Sequence, residues 1–412
     1  MTWDFTPPKK SNLSDHDVFS LSNHLEGKNI ALMICGGVAS MKAPLLAREL
    51  RRHGAKITIY ASSEALKYAA ADSLEWSSDR PIITGLTPRA EHLNSKETFD
   101  LFLIAPATYN TINKIASGTA DSLIPTTMAA VIGNVERGNV QALIAPTMHG
   151  DMHNSILTEN MKKLSQLGVQ FIKPRQDFGK NNLPNIDTIV SECIRVLSQS
   201  KLKGKSIFVT GGNTPVAIDS IRRITNIFTG KLGMELSKEL HLRGANVHYL
   251  LSGSKIQVPT YLNVNRVSSY EDYKDYCVNW VKNHNPEFSI LSAAVADYQP
   301  KVVLEGKTKS QGELRSIDLI STDKVVDLIY DCSPHSKIVS FKYEENLSHT
   351  ELMDIAQQRI QKGHHAVVAN RGEDKGPEGQ QVAYFVWAKG QVKATGKSKI
   401  AEMICDHLEK EI

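Results

Sequence analysis

Two glycine pairs in this chain directly follow short apolar runs, each placed where a backbone can cradle a phosphate. Residues 30–34 (IALMI) run into Gly36 and Gly37, and residues 206–210 (SIFVT) run into Gly211 and Gly212. Free N–H groups at such turns, together with hydroxyls, suit a phosphate ester. In the second half Thr229, Gly230 and Lys231 open an amphipathic stretch, so helix N-terminal N–H groups and a lysine can share one anion. Neither loop has GxGxxG spacing. The next apolar runs end YASSE and LLSGSK, with small hydroxyls where a nicotinamide site would place a ribose-binding carboxylate. Ser62 and Ser63 can receive a phosphate, including that of a flavin, or can cap the helix that follows; Glu64 is the nearest acid.

The elements that must position these residues follow one grammar, used twice. A strand at 30–34, the glycine turn, an amphipathic helix over 42–53, Gly54 and a strand at 56–60 form a βαβ unit, which implies a parallel sheet. The pattern restarts at Lys205 with a strand, Gly211–Gly212, a helix over 231–242, Gly244 and a strand at 246–250. Short uninterrupted apolar runs at 101–104, 142–144, 288–291, 338–341 and 366–369 read as strands buried on both faces. The fold class expected is α/β: two Rossmann-like domains with parallel sheets. Residues 1–27 read as a polar leader, 28–197 as the first domain, 198–204 (SQSKLKG) as a linker after a helical stretch at 188–197, and 205–412 as the second domain.

A length of 412 residues accommodates two cores. With 41% hydrophobic and 22% charged residues, the chain is neither disordered nor fibrous in composition. A formal charge of +4 with dispersed basic residues argues against a nucleic-acid partner. No apolar run is long enough for a membrane span and no signal-like start is present, so a cytoplasmic location is expected. Five cysteines without a CxxC pair favour buried thiols over a disulfide or zinc framework.

Residues 105–121, APATYNTINKIASGTAD, carry a family resemblance. With residues 28–175 around them, they resemble the homo-oligomeric flavin-containing cysteine decarboxylases, whose flavin-side signature is PA-(S/T)-x-N-T. That resemblance implies FMN bound by Gly36, Gly37, Ser62, Pro106, Thr108 and Asn110. It also implies His92 as the active-site histidine that positions and discharges the substrate carboxylate. The physics agrees, because an amide and a hydroxyl at the carboxyl end of a parallel strand can hydrogen-bond an isoalloxazine edge or a carboxylate. The family's P-x-M-N-x-x-M motif stands here as 146–152, with Met148 in place and His149 where the substrate-binding asparagine is expected. The family's clamp, with its proton-donating cysteine, is replaced by DFGKNNLPNID, and no cysteine lies between Cys35 and Cys193.

Residues 205–412 resemble phosphopantothenate–cysteine ligase, through residues 206–233 and SAAVADYQP at 292–300. The resemblance implies Asn226 acting on an acyl-nucleotide and Asp297 contacting the nucleotide or its metal. It implies Lys307 as the essential lysine with Lys309 beside it, Phe341 near the base and Asn370 in a V-x-A-N turn. Gly211, Gly212, Thr229, Gly230 and Lys231 would bind the nucleotide. The implied chemistry activates 4′-phosphopantothenate with CTP and Mg²⁺, joins it to cysteine and decarboxylates the product, a step in coenzyme A biosynthesis. A lysine on a flexible loop suits departing pyrophosphate. No side-chain metal cluster is expected, since Mg²⁺ rides on phosphates and one carboxylate. Family members form homo-oligomers, so a trimer-based assembly, up to a dodecamer, is expected. The competing readings are a flavoprotein acting on another cysteinyl substrate and a regulatory paralogue with a non-catalytic flavin domain.

Overall fold

The computed structural model describes residues 5–92, 98–307 and 316–412. The chain divides into two compact units, Met1–Ser198 and Gln199–Ile412. In the first, β1 (Asn29–Ile34), β2 (Lys56–Ala61), β3 (Leu101–Ala107), β4 (Gln141–Pro146) and β5 (Gln170–Phe171) form one sheet in the order β2-β1-β3-β4-β5. Every pairing in it is parallel. All seven residues of β3 are buried, as required of a strand with helices on both faces. The Ala43–Arg52 helix buries Ala43, Leu46, Ala47 and Leu50, a stripe at i, i+3, i+4 and i+7.

The second unit contains β6 (Ser206–Gly212), β7 (Asn246–Ser252), β8 (Val264–Val267), β9 (Phe288–Leu291), β10 (Lys337–Glu344), β11 (Ala366–Arg371), β12 (Val382–Trp387) and β13 (Gly390–Thr395). Their order is β8-β7-β6-β9-β10-β11-β12-β13. The first six are parallel in the 3-2-1-4-5-6 arrangement of doubly wound nucleotide folds. β12 and β13 extend this parallel sheet as an antiparallel pair. They are joined by a two-residue turn, which needs no crossover helix.

Both edges of the expected domain map shift. Residues 21–27 are not merely a leader: Leu25 is fully buried, and the N–H groups of Leu21 and Leu25 donate to the carbonyls of Arg52 and His53, each at 2.8 Å. The 198–204 stretch is not a free linker either, because Leu202 is fully buried in the second unit's core. The Lys201 N–H donates to Glu409 Oε1 at 3.1 Å, pinning the same stretch to the C-terminal helix.

Candidate active sites

In the first unit the loops that follow β1, β2, β3 and β4 meet at one sheet edge, and β1 and β3 flank the point where strand order reverses. Gly36 and Gly37 follow β1, Ser62 follows β2, Pro106 is the last but one residue of β3 with Thr108 and Asn110 just beyond the strand, and Met148 and His149 follow β4. Backbone bonds hold the loops in register: Cys35 N–H to Pro106 O at 3.3 Å, Ser62 N–H to Ile34 O at 3.1 Å, and Thr147 N–H to Ala107 O at 2.9 Å. Thr108 caps the Tyr109–Ser117 helix, and Asn110 lies exposed in its first turn. Gly37, at φ 143°, adopts a conformation that disfavours side chains.

Several polar groups here have defined tasks. The Ser62 hydroxyl accepts from Ala65 N–H at 3.2 Å, so it does cap the following turn. Glu64 is spent on Lys67 at 2.7 Å and is exposed, unlike a ribose-binding acid. His149 is half exposed; its Nδ1 accepts from Asp151 N–H at 3.3 Å, leaving Nε2 as the ring atom for a ligand. His92 lies beside Glu91, whose carbonyl accepts from the Tyr60 hydroxyl near the end of β2 at 3.4 Å. Its Nδ1 is buried and has no hydrogen-bond partner among the described residues. Burial pushes the Cys35 thiol, at the end of β1, up to about 11, which keeps it protonated. Where the family's clamp was expected, residues 175–182 form a hairpin paired to Met148–His149, with Phe178 almost wholly exposed at its tip. Cys193 cannot replace the clamp thiol, being fully buried in the Ile186–Leu197 helix.

In the second unit a cavity of about 380 Å³ opens where β6 and β9 diverge. Gly212, Thr229, Gly230, Lys231, Phe341 and Asn370 all line it, which gathers six of the expected nucleotide residues. Lys375, Lys397 and Arg371 add positive charge; Arg371 is paired in two-pronged fashion with Asp374, at 2.7 and 3.0 Å. That pairing holds the Asp374 carboxyl below its usual range, so the wall carries four cations against one satisfied carboxylate.

Side chains lace the cavity's loops together. Asn213 Nδ2 donates to Phe228 O at 2.8 Å, while its Oδ1 accepts from the Thr225 hydroxyl at 2.8 Å. The Tyr249 hydroxyl donates to Gly230 O at 3.0 Å, and the Ser254 hydroxyl to Thr229 O at 2.7 Å. Asn226 Nδ2 donates to Ala294 O at 3.0 Å, linking the glycine-rich segment to the SAAVAD segment. Gly212 and Gly230 both have positive φ, and a Cβ on Gly212 would lie 1.9 Å from Ser252 O. Gly211 sits behind the wall, its missing Cβ replaced by the Tyr249 ring.

Not every expected residue converges on this cavity. Asp297 is ion-paired with Lys324 beyond its lining, a partner no motif indicated. Lys307 is exposed next to Gly306, whose carbonyl accepts from Ser220 N–H at 3.4 Å. Lys309 lies outside the described residues. Sequence reasoning missed Asp219, a fully buried carboxylate whose oxygens accept from Ile221 and Arg222 N–H and from the Arg222 guanidinium. An Asp three residues before an Arg in a turn was the available signal. Thr225, Tyr249 and Ser254 had no local signature, since their roles exist only across loops.

One sheet carries hydroxyl, amide and imidazole groups on the loops at its carboxyl end, the other a cationic cavity at its switch point; together they define a two-domain α/β protein built on parallel sheets. Residues 18–198 match the family described as Flavoprotein, and residues 202–412 match the DNA/pantothenate metabolism flavoprotein C-terminal domain. The "Coenzyme A biosynthesis bifunctional protein CoaBC" of Thermococcus kodakarensis is 35% identical over 398 residues, covering 94% of this chain and 96% of its own. The protein of the same name from Methanocaldococcus jannaschii is 28% identical over 393 residues, covering 94% and 95%. A crystal structure of the DNA/pantothenate metabolism flavoprotein from Streptococcus pneumoniae is 24% identical, covering 51% of this chain and 100% of that one, with a TM-score of 0.46. The chain belongs to the family of bifunctional coenzyme A biosynthesis flavoproteins.

Proposed function

We propose that the second unit joins 4′-phosphopantothenate to cysteine at the expense of CTP, and that the first decarboxylates the phosphopantothenoylcysteine so formed to 4′-phosphopantetheine. The observation that carries the ligation is the cationic cavity at the β6/β9 switch point, braced by Asn226 on Ala294 O. Backbone N–H groups after Gly230, with Lys231, hold phosphate there; Phe341 faces the base; Asn226 orients the acyl-cytidylate; and Lys307 neutralises the leaving pyrophosphate. Mg²⁺ fits a donor set of nucleotide phosphates and the Asp297 carboxylate. Among the described residues no group of three or more His, Cys, Asp or Glu could hold a metal ion without substrate oxygens.

For the first unit we assign FMN to the β1/β3 switch point. The residues fit: Gly37 leaves the cradle open, the Cβ it lacks lying 3.8 Å from Thr108 Cγ2, and the exposed Asn110 amide and the unpartnered His92 Nδ1 are groups a ligand can satisfy. When bound, FMN supplies two-electron oxidation of the cysteinyl thiol, which makes carbon dioxide loss feasible. His92 positions the carboxylate, Met148 packs against the substrate, and His149 Nε2 takes over the contact an asparagine amide makes elsewhere in the family. Exposed apolar side chains at Val38, Met41 and Leu45 beside this edge, and at Ile221, Ile227, Val302 and Leu304 in the second unit, support a homo-oligomer; the trimer-based assembly, up to a dodecamer, follows from the family resemblance alone. Free thiols and small-molecule substrates support a cytoplasmic setting.

Pyrophosphate release from CTP, 4′-phosphopantothenate and cysteine supplied together tests the ligation. Release that needs all three supports it; release unchanged when any one is omitted rejects it.

A further inference from the structure

Two helices, not one, contribute their first residue to the wall of the β6/β9 cavity. The Lys231–Leu242 helix begins after Gly230, and the Lys397–Lys410 helix begins after Gly396; neither has a side-chain cap or an acidic residue in its first turn. The first N–H groups of a helix have no partner inside it. Both helices open with a lysine that lines the cavity, and neither lysine makes an ion pair or side-chain hydrogen bond among the described residues. Lys399, two residues on, is instead engaged by Glu402 at 2.6 Å and lies off the wall.

An independent observation points to a ligand at the same place. Asn370 lines the cavity with 9% of its surface exposed, and its amide has no side-chain hydrogen bond among the described residues. Its amide atoms open onto the cavity rather than into the core, so a ligand there can take up both their donor and acceptor capacity. Two positive helix ends, three lysines (Lys231, Lys375 and Lys397) and an unmet amide around about 380 Å³ match one chemistry: a chain of phosphates, with an anionic oxygen for each donor.

We propose that the C-terminal helix is the second jaw of a diphosphate grip, with Lys397, the N–H groups after Gly396 and Asn370 holding the part of the triphosphate that leaves as pyrophosphate. Lys231 and the N–H groups after Gly230 hold the phosphate that stays on the nucleotide. Nothing in the motif pattern assigned Lys397, which lies far from the glycine-rich segment in sequence. The division of labour rests on the nucleotide-dependent reading of the cavity, but it makes a separate demand: affinity for pyrophosphate alone depends on Lys397, and affinity for a monophosphate does not.

Calorimetric titration of the full-length protein with inorganic pyrophosphate, and separately with CMP, tests this. Lys397→Ala is expected to weaken pyrophosphate about tenfold and leave CMP within about twofold. Lys397→Arg should retain most of the affinity and Lys399→Ala all of it. Pyrophosphate binding that is absent from the wild type, unchanged in Lys397→Ala, or lost in parallel with CMP overturns the inference. Lys397-dependent pyrophosphate binding in a protein that releases no pyrophosphate from CTP, 4′-phosphopantothenate and cysteine would sink the ligation reading and leave the grip standing.

Discussion

In the second unit the loops that meet at the cavity are tied to one another by several side chains, whereas in the first unit they are held mainly by backbone bonds, with side-chain links such as the Tyr60 hydroxyl on Glu91 O and the Tyr109 hydroxyl on Asn154 Oδ1. Asn213, Thr225, Asn226, Tyr249 and Ser254 each reach across to a neighbouring segment of the ligase-type site. The flavin-type edge has Cys35 N–H on Pro106 O and Thr147 N–H on Ala107 O, while Asn110 and His149 face solvent. A site braced by its own chain is pre-formed for a small, highly charged substrate. One that leaves its polar groups open and its rim apolar is completed by what docks on it.

The sharpest way to break this comparison is to disable one site and watch the other. Lys307→Ala or Asn226→Ala should cut CTP-dependent pyrophosphate release by about 10²–10³-fold, with carbon dioxide release from supplied phosphopantothenoylcysteine unchanged. If both variants release pyrophosphate at the wild-type rate, the assignment of those residues fails. The reciprocal experiment, His92→Asn, should lower carbon dioxide release by about 10²-fold and leave ligation intact.

Glycine replacements probe the bracing itself. Gly212→Ala combines positive φ with a Cβ forced against Ser252 O, and should cost about 3 kcal/mol or more in chemical denaturation. Gly37→Ala meets only Thr108 Cγ2 at 3.8 Å and should cost about 1 kcal/mol, through its φ of 143°. Equal losses at the two positions would mean that the second site is no more tightly built than the first.

A further modest effect is a pH dependence centred on His248 in the second unit. His248 stacks on Trp280 at 4.5 Å and contacts the Tyr276 hydroxyl through Nε2 at 2.7 Å; burial lowers its pKa to about 4. The unfolded chain therefore binds a proton more readily than the folded one, and stability is lost as pH falls from about 6.5 toward 4. With solvent screening the loss is about 1–2 kcal/mol. A melting temperature followed from pH 7 to pH 4.5 should fall less steeply in His248→Gln than in the wild type.

The strands were legible because they are short apolar runs: 288–291 matches β9 residue for residue, and 206–210 extends only by the glycines that end β6. Gly212, Thr229, Gly230, Lys231, Phe341 and Asn370 were legible because the glycine turn, the helix start and the strand ends have local signatures. Asn213 and Tyr249 were not, because each acts on a carbonyl many residues away and nothing nearby marks it. The β12–β13 pair escaped for a related reason: its partner register is set by β11, not by any period within residues 382–395. The pairing of Asp297 with Lys324 was not legible either, because Lys324 carries no motif of its own.

The burial of Leu202 sets where the second unit can be severed. Expression of that half from Lys205 onward, at the start of the visible strand, would remove a wholly enclosed leucine and the strap to Glu409, a loss of about 2–3 kcal/mol or more. A fragment starting at Gln199 keeps both. Six residues ahead of the first strand thus separate a fragment suited to isolated study from one prone to clumping.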